Sequence, residues 1–100
     1  MGPIVYLDVD DEITSAAARI RSADAPRIAL VIPPGSRLAT SRMNFRLLAR
    51  EAQGRNRRLA IIAPDAASRA LAASAGLPVY GSVAEFELAS QAPSAEAAGE

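Results

Sequence analysis

The chain has 100 residues, of which half are hydrophobic and four per cent aromatic, and its eleven arginines balance eleven acidic residues. This composition predicts one small domain with an aliphatic core and argues against disorder throughout. Lys, His and Cys are absent, which excludes disulfides, thiolate and Schiff-base nucleophiles, zinc–thiolate sites and the usual histidine base. Because the chain shows no charged leader and no long apolar run, we expect no signal peptide, no membrane insertion of this segment and a cytoplasmic location.

The first predicted strand covers residues 4–9, where an apolar run ends in acidic residues. A helix is predicted next, because apolar residues recur at helical spacing from Ile13 to Ile20. Asp10 or Asp11 is the expected N-cap of this helix.

The second predicted strand, 27–32, ends at the turn residues 33–35. A second helix is predicted between Ser36 and Gln53, and Gly54 stands where a C-terminal cap belongs. The alternation then continues with strand 58–63, helix 66–75, strand 78–80 and one or two helical turns over 83–89.

The third helix has clear end signals: Asp65 is its predicted N-cap, and Gly76 is predicted to close it.

A faint repeat matches residues 27–33 to residues 58–64, 31 positions later. Apolar strands that alternate with helices predict a parallel sheet. The predicted fold class is α/β, a small three-layer Rossmann-like or flavodoxin-like domain with roughly four parallel strands. We assign residues 1–89 to this single domain and residues 90–100 to a disordered tail or linker that joins a larger protein.

Polar residues follow the predicted strands, and the carboxyl ends of parallel strands are where such folds bind ligands. We therefore expect four loops to converge on one crevice. They contain Asp8, Asp10 and Asp11, then residues 33–37, then Asp65, then Gly81 and Ser82.

The acidic segment resembles the start of a haloacid-dehalogenase phosphatase, in which two Asp residues two apart hold Mg²⁺ and attack phosphate. Glu12 stands where that family has Thr, and the family's later Lys has no counterpart here. A response-regulator receiver also begins with paired acids and also needs a Lys. The alternative is that Asp10 and Asp11 cap a helix. A magnesium-dependent enzyme using Asp8, Asp10 and Asp11 is thus our third hypothesis; we predict no catalytic residue, no metal, no cofactor and no phosphate-ester hydrolysis.

The loop from Pro33 to Arg37 connects a strand to a helix, so its N–H groups and the helix dipole favour an anion. Arg37 and Arg42 add guanidinium donors. The alternative is a turn capped by Ser36 or Thr40. The predicted ligand-binding residues are Asp10, Asp11, Gly35, Ser36, Arg37, Ser41, Arg42 and Asn44.

Arg42, Arg46 and Arg50 are four residues apart and share one face of the second helix. Residues 37–58 hold seven Arg and one Glu, a local charge of +6 that leaves −6 for the rest of the chain. We predict Arg46 and Arg50 as an interaction face for an acidic protein or an anionic ligand; the alternative is a solvated helix face. Nucleic acid is not favoured, because no aromatic residue interleaves with the arginines and Phe45 is expected in the core.

Three segments, YLDVDDEITS (6–15), PPGSRL (33–38) and GLPVY (76–80), look like parts of an N-terminal domain of uncharacterised bacterial proteins. Those proteins often continue into a membrane anchor and are sometimes labelled baseplate-like. The resemblance covers residues 4–82 and implies a Rossmann-like fold but no activity. It also implies a polar signature at one edge of the sheet, made of Asp10, Asp11, Thr14, Ser15, Ser36, Ser41 and Asn44.

Our first hypothesis is a non-catalytic regulatory or protein-interaction domain of a larger protein, with a protein or an anionic small molecule as partner. The second is a sensor that binds a nucleotide or another phosphorylated anion at the carboxyl edge of the sheet. Clustered polar residues in loops favour binding over packing alone.

Overall fold

The four apolar runs form one sheet in the computed structural model, which describes residues 4–23 and 26–91. The strands are β1 (Ile4–Tyr6), β2 (Arg27–Val31), β3 (Arg58–Ile62) and β4 (Val79–Tyr80). The helices are α1 (Ile13–Ser22), α2 (Arg42–Gly54), α3 (Ala66–Ser74) and α4 (Val83–Gln91), and a short 3₁₀ helix (Arg37–Thr40) precedes α2. The predicted alternation is confirmed, although β1 ends at Tyr6, three residues earlier than predicted.

The sheet is parallel throughout, and its strands lie in the order β1-β2-β3-β4. Arg27 on β2 is opposite Arg58 on β3, and Val31 is opposite Ile62. This register coincides with the 31-residue repeat, so each repeated position lies beside its own counterpart.

One face of the sheet carries α1, α2 and α3. Ile28, Leu30 and Ile61 are fully buried between the strands and these helices, because alternate residues of a strand face the same side. The helices contribute buried apolar side chains to the same cluster: Ala16, Ile20, Phe45, Leu48, Ala52 and Ala72. The prediction that Phe45 belongs to the core is confirmed, since its ring is fully buried.

The opposite face carries α4, which makes the third layer. Phe86 from this helix is buried against Ala29, Ala60 and Ile62. Its ring meets that of Tyr80 edge to face, with centroids 5.5 Å apart and planes at 75°. The predicted three-layer Rossmann-like class, with a four-stranded parallel sheet, is therefore confirmed.

Two predicted helix ends are wrong. Neither Asp10 nor Asp11 caps α1, because Glu12 occupies the N-cap position and makes no capping bond with its side chain. Gly54 does not close α2: it is the last helical residue, and Asn56 adopts the left-handed conformation with φ of 57°. The Asn56 amide donates to Gln53 O and the Arg57 amide to Ala52 O, which is the usual bonding of a left-handed helix end.

The predicted ends of α3 are confirmed. The Asp65 carboxylate accepts from the Ser68 amide at 3.1 Å, and Gly76 has φ of 87°. The amides of Gly76 and Leu77 donate to Ala73 O and Ala72 O, which satisfies the last carbonyls of the helix. At the end of the chain, α4 extends to Gln91, two residues past the predicted domain boundary, and the rest of the predicted tail lies outside the described residues.

Candidate functional site

The loop after β1 is stabilised by the carboxylate of Asp11, which belongs to the loop itself. The Asp8 amide donates to Asp11 Oδ2 at 2.8 Å, and Asp11 lies 3.9 Å from the guanidinium of Arg19. Arg19 also donates to the Tyr6 carbonyl at 2.9 Å. Asp11 therefore holds the loop and pairs with α1, while Asp8 and Asp10 are exposed.

The next loop is tied to this first one. The Arg37 amide donates to the Val9 carbonyl at 3.0 Å, and the Arg37 guanidinium lies 3.9 Å from the Glu12 carboxylate. Gly35 sits at the turn with φ of 77°. The structure thus brings two of the predicted loops together and places a carboxylate beside Arg37.

Ser36 is buried, and its polar atoms form hydrogen bonds with the backbone of its own turn. Its hydroxyl accepts from the Leu38 amide at 3.3 Å, and its carbonyl accepts from the Ala39 amide at 3.2 Å. The Ser36 amide donates to Pro33 O. Together with the bond from Arg37 to Val9, these contacts occupy the amides of residues 36–39.

Ser41 and Asn44 have similar local roles. The Ser41 hydroxyl accepts from the Met43 amide at 3.1 Å and caps α2, and the Ser41 carbonyl accepts from the Asn44 amide. The Asn44 side chain donates to the Leu38 carbonyl at 3.0 Å, while Arg42 projects from the helix and is exposed. The amides of Met43 and Asn44 at this helix start already have acceptors, so the predicted ligand set stays a prediction without added support.

The strand order gives a physical reason for the contact between the loops at the carboxyl edge of the sheet. Ligand crevices of open parallel sheets form where the strand order reverses and neighbouring loops separate. The order β1-β2-β3-β4 contains no reversal. The loops after β1 and β2 are therefore neighbours, and they contact each other through Arg37 and Val9.

Asp65 has a structural role at this same edge. Hydrogen bonds from the Ser68 hydroxyl at 2.9 Å and from the Ser68 amide lower the pKa of the Asp65 carboxyl below its usual value, and the nearby Arg69 adds to the shift. Arg69 itself donates to the carbonyls of Ala63 and Pro64. Within residues 4–23 and 26–91, no group of three or more acidic side chains is placed to hold a metal ion.

The predicted interaction face lies on α2. The side chains of Arg42, Arg46 and Arg50 are exposed and, among the described residues, make no ion pair or hydrogen bond. Beside this row, Met43 and Leu47 are 58% and 45% exposed. We call these five residues the α2 face. Arg42, predicted as a ligand-binding residue, belongs with Arg46 and Arg50.

Cavities at the amino-terminal edge of the sheet were not predicted from the sequence. One, of about 290 Å³, is lined by Pro26, Arg27, Asn56 and Arg58. A second, of about 140 Å³, shares Arg27 and Arg58 and is otherwise lined by Leu59, Ala60, Pro78, Tyr80 and Phe86. The available signal was the repeat itself, since both copies begin with Arg.

No protein-family model, curated protein or solved structure matches the chain significantly. The helices of the described ranges are all too short or too polar to cross a membrane. The resemblance to the bacterial N-terminal domain therefore stays a prediction from its three segments.

Proposed function

We propose that this domain is a non-catalytic protein-interaction module of a larger, cytoplasmic protein, and that the α2 face docks an acidic segment with apolar side chains. One observation carries the proposal: a row of arginines without intramolecular partners in the described part of the chain runs beside two exposed apolar side chains. Arginine and methionine are enriched at protein interfaces.

Charge selects the partner. Residues 37–58 carry a local charge of +6, whereas Glu51, the one acidic residue among them, is engaged with Arg21 and Arg55 at 3.6 and 3.0 Å. The α2 face is therefore free to meet carboxylates, which guanidinium groups bind with two parallel hydrogen bonds. The flexible Met43 side chain suits a partner surface of irregular shape.

Basic and apolar side chains on one helix face also suit two other macromolecules. An anionic membrane would attract the arginines and take up Met43 and Leu47. A nucleic acid would use the arginines for phosphates, but the α2 face offers no aromatic side chain on which bases stack. We favour the protein partner, because the face is short and contains just two apolar residues.

The test uses a fluorescent model peptide with Glu and Leu at helical spacing, titrated with the full chain and followed by anisotropy. Arg46→Glu with Arg50→Glu is expected to weaken binding at least about tenfold, since each lost charge-assisted hydrogen bond is worth about 1.5–3 kcal/mol. The matched control, Arg21→Glu with Arg55→Glu, changes the net charge equally but lies beside the face. It is expected to weaken binding less than about threefold.

Two further measurements define the partner class. Leu47→Ser is expected to weaken peptide binding several-fold without changing its dependence on salt, because an apolar contact is lost. Equal losses in both double variants would reduce the interaction to diffuse attraction and overturn the proposal. So would binding to phosphatidylserine vesicles or single-stranded DNA in preference to the peptide.

A further inference from the structure

Two cavities at the amino-terminal edge of the sheet share Arg27 and Arg58 and make up a candidate site that lies away from the α2 face. We propose that this site binds a small ligand that joins an anionic group, phosphate or carboxylate, to a flat apolar body. The guanidinium groups of Arg27 and Arg58 would hold the anion, and the apolar body would lie against Phe86 and its neighbours.

The position of the two arginines follows from the register of the sheet. Arg27 and Arg58 are direct neighbours on parallel strands and face the same side as Ala29 and Ala60, which is the side covered by α4. The sheet therefore places two guanidinium groups side by side on one face, and guanidinium groups bind phosphate and carboxylate through paired hydrogen bonds.

The cavities supply room beside these charges. Arg27 and Arg58 line both of them, and Asn56 in the larger one contributes an amide group that can donate and accept hydrogen bonds. The smaller cavity is otherwise lined by apolar and aromatic residues, and the centroid of its Phe86 ring lies 6.0 Å from the Arg27 guanidinium carbon. Guanidinium groups beside apolar and aromatic side chains favour a ligand with one charged end and one apolar end.

Complementing the C-terminus of α2 is not the main role of Arg27 and Arg58. Cationic residues often complement the carbonyls at a helix C-terminus, and α2 ends at this edge. However, Ala52 O and Gln53 O already accept backbone amides, and α2 lies on the other face of the sheet from the Arg27 and Arg58 side chains. Both arginines also interact within the chain, and each guanidinium has five N–H donors to divide between an internal partner and an anion.

The test compares phenyl phosphate, benzoate, inorganic phosphate and phenol as probes of the full chain, followed by NMR of the arginine Nε–H groups and backbone amides. Phenyl phosphate or benzoate is expected to shift the Arg27 and Arg58 signals, and to bind at least about fivefold more tightly than inorganic phosphate. Phenol alone is expected to leave these signals in place. The two anions together distinguish a phosphate ligand from a carboxylate ligand.

Two double variants distinguish binding at this site from nonspecific electrostatic attraction to the protein. Arg27→Gln with Arg58→Gln is expected to abolish binding, whereas Arg46→Gln with Arg50→Gln, an equal change of charge on the α2 face, is expected to leave it within about twofold. Phe86→Leu, which keeps an apolar side chain in the core, is expected to remove the preference for phenyl phosphate over inorganic phosphate. Equal losses in both double variants, or equal affinity of the wild type for phosphate and phenyl phosphate, would overturn the proposal; neither result bears on peptide binding at α2.

Discussion

The two edges of the sheet are built in opposite ways. At the carboxyl edge, loop amides and polar side chains bond to one another, as Ser36 does with Leu38 and Asn44 with the Leu38 carbonyl. At the amino edge, Arg27 and Arg58 border open cavities. Polar residues in a loop therefore indicate a ligand site only when their donors remain available. At the amino edge the two arginines also interact within the chain, but open space lies beside them.

The strand order explains why the usual edge is closed here. A sheet that adds each strand beside the previous one keeps its loops in a continuous row, and the loops after β1 and β2 bond to each other through Arg37 and Val9. At the opposite edge, the cavities lie beside the starts of β2 and β3, and one of them is also lined by Pro78 and Tyr80 at β4.

The packing of the amino edge is tested by the substitution with the greatest expected loss of stability. Phe86→Ala removes a ring that is 4% exposed and forms the contact between α4 and the sheet. We expect the free energy of unfolding to fall by about 3–5 kcal/mol, measured by chemical denaturation.

Leu88→Ala is the matched control on the same helix, because Leu88 is 67% exposed. Its effect is expected to stay within about 0.5 kcal/mol. If the two substitutions cost the same, α4 does not pack through Phe86 and the contrast between the edges is wrong.

A smaller effect tests the hydrogen bonds of the carboxyl edge. Asn44→Ala removes the donor to the Leu38 carbonyl, which lies in a partly buried position. We expect a loss of about 1–3 kcal/mol in the free energy of unfolding, the cost of leaving a buried polar group without its partner. Gln53→Ala, an exposed position on the same helix, is expected to be nearly neutral. A neutral Asn44→Ala would show that this edge does not depend on its side-chain bonds.

The smallest effect concerns Asp65 and depends on pH. At pH 7, Asp65→Ala is expected to lower the free energy of unfolding by about 1 kcal/mol through loss of the N-cap of α3. Because Ser68 lowers the folded pKa of Asp65, the stabilisation is fully present above the unfolded value of about 3.9 and is lost as pH falls through the folded pKa.

Denaturation curves at several pH values between about 6 and 2 measure this loss. Asp10→Ala, at an exposed carboxylate, is the control and is expected to be neutral at pH 7. A difference between wild type and Asp65→Ala that persists unchanged at the lowest pH would contradict the assigned role of the carboxylate.

Much of the fold was predictable because its signals are local. Apolar runs too short for helices marked all four strands, and Asp65 and Gly76 marked the ends of α3 as the structure has them. The end of α2 was mispredicted because Asn also adopts the left-handed conformation, so Asn56 rather than Gly54 closes the helix.

The start of α1 was mispredicted because a carboxylate near a helix start has competing partners. Asp11 accepts from the Asp8 amide and pairs with Arg19. The availability of donors at the carboxyl edge depends on which loops touch, as the bond from Arg37 to Val9 shows. Contacts between loops distant in sequence leave no local pattern. The cavities at Arg27 and Arg58 likewise required the register of β2 with β3.

Because the strand order has no reversal, each strand emerges from the ribosome after the strand beside which it lies. As the ribosome releases the chain, β2 finds β1 already exposed, and β3 finds β2, so each strand has its neighbour at the moment it emerges. In the described sheet, β2, β3 and β4 each pair with a strand that precedes them in the chain. At each stage, the edge of the sheet that is left exposed is the one that the next strand covers, so no strand pairing has to be undone when a later strand arrives.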